Sequence, residues 1–150
     1  MKSLAVLLLL MLSICGCENP TVSVEPKMSS LDTVQIINSP SNLDAPMDPL
    51  KIVEATVEGS QLLLTVEYSG GAKEHDFALY CGRAIAKSMP PQASVFLSHN
   101  AHGDLAKALI RKELQFDLTP MAGLGASEMV IRLFPPGERS PVAGQLVYRP

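Results

Sequence analysis

Beyond Lys51 the chain alternates apolar and polar residues with a period of two, broken at short intervals by glycine and proline. Ile52 to Val57, the turn Glu58-Gly59-Ser60 and Gln61 to Tyr68 read as two strands joined by a tight connection. In the second, Leu62, Leu64, Val66 and Tyr68 share one face, as in a sheet packed on one side. Ser69-Gly70-Gly71 ends it. His75 to Tyr80 and Ala93 to Ser98 read as further strands, with Pro90-Pro91 between them. Residues 105–118 carry two patterns. Asp104 is placed to cap a helix, yet Ile110, Leu114, Phe116 and Leu118 alternate at period two, and the strand is the favoured reading. Residues 128–134 and 144–148 supply the last two strands.

Seven or eight short strands, with turn signals every ten or so residues, predict a mostly β domain over 51–150, an antiparallel sandwich of immunoglobulin-like type. Upstream the texture differs. Residues 18–50 hold Pro20, Pro26, Pro40, Pro46 and Pro49, with Val34-Gln35-Ile36-Ile37 the one plausible strand. Proline fixes φ and removes a donor, so 17–50 is expected to be a disordered, Pro/Ser-rich linker.

Met1-Lys2-Ser3 followed by the unbroken apolar run Leu4–Leu12 reads as a signal peptide. The run is too short for a membrane span, which needs about twenty residues. Ile14-Cys15-Gly16-Cys17 then resembles the lipobox of bacterial lipoproteins, in which a small residue precedes the lipidated cysteine. The resemblance implies cleavage after residue 16 and acylation (palmitate among the chains) at Cys17. Several acyl chains on one residue anchor a protein stably. Glu18, rather than aspartate, after that cysteine implies the outer membrane, facing the periplasm, if the cell is Gram-negative. The alternative is an ordinary secretory signal that leaves a soluble protein.

The chain has 150 residues and a net charge of −3. That excess lies upstream, where Lys27 stands against Glu18, Glu25, Asp32, Asp44 and Asp48, while 51–150 is balanced. A neutral, mixed surface lacks the basic face that nucleic acid requires. Of three cysteines, only Cys81 falls in the domain, so no disulfide can form within it and a buried thiol is expected.

Candidate chemistry rests on His75, His99, His102 and Asp104, all near expected loops. Imidazole and carboxylate suit Zn, and imidazole suits Cu, but H-x-x-H-x-D is a weak pattern and a plain turn at 100–103 is the favoured reading. A nucleophilic enzyme needs Ser or Cys beside a histidine base, and neither G-x-S-x-G nor a phosphate-cradling loop is present. No catalytic residue is assigned.

Residues 66–120 further resemble small bacterial lipoproteins of unknown function that carry SGGC-x-x-H-x-F, H-x-x-x-G-D-x-C and F-D-L-[ST]-P. Here Ser69-Gly70-Gly71, His75, Phe77, His99, Gly103, Asp104 and Phe116-Asp117-Leu118-Thr119-Pro120 match. The two cysteines of that pattern fall on Ala72 and Ala106, which implies two loops in contact and a disulfide lost as a pair.

The expected role is that of a non-catalytic, membrane-anchored module binding an envelope protein, with no cofactor. The alternative is a periplasmic metal-binding lipoprotein using the loop histidines. With aromatic residues at 5% and no tryptophan, a carbohydrate-stacking platform is a poor fit.

Overall fold

The computed structural model describes residues 31–150. The expectations for the signal peptide, Cys17 and the linker up to residue 30 lie outside them. Among the described residues, nine strands form two sheets. They are β1 (Asp32–Thr33), β2 (Gln35–Ile37), β3 (Lys51–Glu58), β4 (Gln61–Gly70), β5 (Asp76–Gly82), β6 (Gln92–Asn100), β7 (Ala108–Asp117), β8 (Met129–Phe134) and β9 (Leu146–Tyr148). One sheet has the order β1-β7-β4-β3 and the other β2-β5-β6-β8-β9. Short 3-10 turns occupy Pro40–Asn42 and Thr119–Leu124.

The core is the sum of the inward rows that the period-two pattern marks. Leu62, Leu64, Val66 and Tyr68 of β4 are buried, against Leu79 and Cys81 of β5 and Ala93, Val95 and Leu97 of β6. Met129, Ile131 and Leu133 of β8, Phe116 of β7, and Leu146 and Tyr148 of β9 join them, with Leu118 and Met121 beside β7. Each large apolar side chain enclosed this way contributes about 1.5–3 kcal/mol. Cys81 is part of this core as expected, and burial pushes its thiol up to about 11.

Residues 105–118 settle as a strand: β7 pairs antiparallel with β4 along ten residues, Gln61 to Gly70 against Asp117 to Ala108. The sheets are mixed rather than antiparallel throughout. After β6 the chain crosses to the other sheet as β7 and returns as β8, which therefore lies parallel to β6. Successive strands that change sheets escape the hairpin rule on which an all-antiparallel expectation rests.

The domain also begins earlier than residue 51. β1 pairs parallel with β7 in one sheet and β2 parallel with β5 in the other. Val34 between them is 2% exposed and donates its N–H to the Asp117 carbonyl. Residues 40–48 then cross the second sheet, where Asp48 N–H bonds the His99 carbonyl. Prolines at 40, 46 and 49 prevent long strands here but not docking of short ones.

Truncation to start at Lys51 is accordingly expected to remove much of the cooperative thermal unfolding, whereas a chain starting at residue 31 unfolds as the longer protein does. Val34→Ala should cost about 2 kcal/mol, read by denaturant titration.

Candidate functional site

The sheet register sets this site. Phe77 of β5 lies opposite His99 of β6. His99 continues the inward row of Ala93, Val95 and Leu97, and His75 stands two residues before Phe77 in the row of Leu79 and Cys81. Both imidazoles are therefore delivered to the end of the core rather than to an open loop, and His99 is 1% exposed. The ring of Phe77 stacks on His99 at 4.9 Å, and Tyr68 packs against both histidines at 4.6 and 5.1 Å.

Hydrogen bonding decides which nitrogen carries which proton. His99 Nδ1 lies 3.0 Å from the Asp48 carbonyl oxygen, which only accepts, so Nδ1 is the donor. His99 Nε2 then accepts from His75 Nδ1 at 2.8 Å. His75 Nε2 faces Asp104 Oδ2 at 3.4 Å. There a neutral ring would turn a lone pair toward the carboxylate, and a doubly protonated ring turns an N–H. Burial holds the His99 pKa below the ordinary imidazole value, which fits its place as the neutral partner.

Asp104 ties this pair to the surrounding backbone. Its Oδ2 accepts the successive N–H groups of Gly71, Ala72 and Lys73 at 2.9, 2.9 and 3.0 Å, and its Oδ1 accepts that of Ala106 at 2.9 Å. These bonds, Ala106 first, then Lys73, Ala72 and His75, hold the carboxyl well below the usual range. Lys73 adds a return tie from its ammonium to the carbonyls of His102 and Gly103 at 2.6 and 3.3 Å. Gly70 is required by the close approach: a Cβ there would lie 2.7 Å from the His75 ring.

The four sequence candidates thus do not form one ligand set. His75, His99 and Asp104 converge, while exposed His102 pairs separately with Asp76 at 2.6 Å. The two buried rings spend facing nitrogens on each other. Among the described residues no group of three or more His, Cys, Asp or Glu is arranged to hold a metal ion. Asn100 to Gly103 does form a turn, with His102 and Gly103 at positive φ. Sequence reasoning missed Asp48, whose carbonyl orients His99 and whose carboxylate accepts Ala101 N–H at 2.7 Å. It also treated His99 as a loop residue, although its phase with Val95 and Leu97 marks it as inward.

Acid should undo this arrangement in two stages. His99 has a folded pKa below its unfolded one, so its contribution is full above about pH 6.5 and is lost as pH falls from there. Asp104 is depressed likewise, so its contribution is lost below about pH 4. A Tm-against-pH profile should show both falls, and Asp104→Asn should lower Tm by several degrees at neutral pH and remove the second. Ala72 and Ala106 each donate a backbone N–H to the Asp104 carboxylate. The variant Ala72→Cys with Ala106→Cys should oxidise to an internal disulfide worth about 3–4 kcal/mol for a loop of this length, read as a rise in Tm that a reductant abolishes.

No protein-family model matches the sequence, and no curated protein matches it. Solved structures do. A NigD-like immunity protein from Bacteroides caccae matches with a TM-score of 0.52 at 16% identity, over 77% of this chain and 58% of that one. A toxin-related protein from Parabacteroides distasonis matches with a TM-score of 0.54 at 18% identity, over 79% of this chain and 61% of that one. The chain spans about three-fifths of the length of each. At such identities the likeness is one of fold: this is a small β protein with the sandwich that these bacterial proteins share.

Proposed function

We propose that this protein is a non-catalytic protein-binding module of the cell envelope, held by lipid on Cys17 at a membrane, the outer one in a Gram-negative cell. The observation that carries the binding role is the edge of β3. Among the described residues that strand pairs with β4 on one side alone. Its other side borders a groove of about 390 Å³ lined by Leu50, Ile52, Val53, Ala55, Pro135 and Val142, with Glu54 and Glu138 at hand. An unpaired strand edge beside apolar pockets is the surface on which an extended peptide adds a strand, with backbone bonds giving affinity and the pockets specificity.

The absence of a catalytic role is supported by where the polar chemistry points. The histidine hydrogen bonds described above go to each other, to Asp48, Asp76 and Asp104, and none goes to a serine or a thiol. Cys81 is buried with a raised pKa, the opposite of an activated nucleophile. The shared fold of an immunity protein and a toxin-related protein lends further support to recognition of another protein.

Intact-mass spectrometry of the protein extracted from membranes, first native and then denatured, tests the anchor. A mature chain beginning at acylated Cys17 is expected, and an unmodified chain in the soluble fraction overturns the anchor. A Zn- or Cu-sized excess lost on denaturation would favour a metal-binding role instead. For the edge, a photo-crosslinkable residue replacing Val53 is expected to give a discrete adduct in cells, with none from the same group at Glu113 on the sheet face. Equal adducts from both positions would count against β3.

A further inference from the structure

The two connections at one end of the sandwich, 71–75 between β4 and β5 and 101–107 between β6 and β7, form a single rigid cap, because Asp104 and Lys73 cross-tie them. This cap presents apolar side chains outward. Leu105 is 89% exposed and Leu109, on the first turn-side residues of β7, is 74% exposed. Neither supports the core.

The path of the chain relates this end to the anchor. β1 runs parallel to β7, with Asp32 beside Phe116 and Thr33 beside Asp117. At Asp32 the chain therefore enters β1 from the direction of Ala108, the end that carries Leu105 and Leu109. From Phe116 to Ala108 is a rise of about 26 Å at roughly 3.3 Å per residue. The stretch from Cys17 to Leu31 can extend to about 46 Å. It is thus long enough to pass the cap and hold it against a bilayer, with about 20 Å in hand.

We infer that the Asp104-tied cap is the membrane-facing end of the domain, with Leu105 and Leu109 seated in the lipid surface. The inference rests on the lipid anchor proposed above and adds which surface the anchor brings down. A cap already cross-tied loses little conformational freedom on docking. Two leucines entering the interface add apolar burial to that of the acyl chains. Docked this way, the strands stand away from the membrane and the β3 groove faces sideways, open to a partner.

The test uses the full mature chain on phosphatidylcholine vesicles containing doxyl-labelled lipid. With Cys17 acylated and Cys81 buried, Leu105→Cys or Met89→Cys supplies one reactive thiol for an environment-sensitive fluorophore. Met89, 97% exposed in the connection between β5 and β6, marks the opposite end. A label at residue 105 is expected to shift blue and be quenched by the doxyl lipid, and one at residue 89 to remain as in water. Quenching at 89 rather than 105 would reverse the orientation, and none at either would mean the domain does not dock; both overturn the inference. To separate this from failure of the anchor, the same labels are read in a Cys17→Ser chain held on nickel-chelating lipid through a polyhistidine tag at its N-terminus. Native acylation is then irrelevant, and the same contrast between 105 and 89 is expected. In that tagged protein, Leu105→Ser with Leu109→Ser should weaken vesicle binding measured at low nickel-lipid content by about tenfold per leucine. Unchanged binding with unchanged Tm would show that the leucines do not enter lipid.

Discussion

One carboxylate holds the working end of this sandwich together. Asp104 collects three successive N–H groups from the turn after β4, a fourth from its own loop and the ring of His75. Without it the turn would bring those donors together with nothing to accept from them, and an unmet backbone donor costs free energy comparable to a lost hydrogen bond. The ring of His75 is in turn held by His99, and His99 by the carbonyl of Asp48. A polar chain thus runs from the segment before β3, through the core's end, to both loops. Tyr68 and Phe77 seal it on the apolar side. Networks of this kind, fully satisfied, fix one arrangement of the elements they join.

The strand pattern was largely legible in the residues, because most strands bury one face. Period-two rows such as Leu62, Leu64, Val66 and Tyr68 mark strand and inward face together. The order of strands within the sheets was not, since alternation reports which side of a strand is wet and says nothing of its neighbour. That is why β6 and β8 read as members of an antiparallel set and prove to be parallel. Val34-Gln35-Ile36-Ile37 stood out as a plausible strand and β2 falls within it, but the prolines that follow hid its place in the sheets. Val34, with Ile36 packed against the core, seats two very short strands, too few buried side chains to show a period.

The candidate site was partly visible. Glycines at 70 and 71, His75, His99 and Asp104 stood out as residues, but their roles depend on register. Phe77 opposite His99 brings two histidines 24 residues apart within hydrogen-bond distance. Asp48 orients His99 through its backbone carbonyl, a group every residue has, so nothing in the sequence tied it to that histidine. The resemblance to small bacterial lipoproteins implies contact between positions 72 and 106; in this chain, which has alanine at both, each gives a backbone N–H to the Asp104 carboxylate.

The way the chain enters the domain also sets how it bears load. β1 belongs to one sheet and β2, two residues later, to the other, with Val34 clamped between them. Tension applied from the N-terminal side pulls β1 along its own length against β7, so its hydrogen bonds are sheared together rather than peeled one by one. Any strain that passes β1 reaches β2 and is carried by β5 in the opposite layer. The domain is thus gripped by both of its sheets at the point where the chain leaves it, and a partner tugging on the far side would work against the two layers at once.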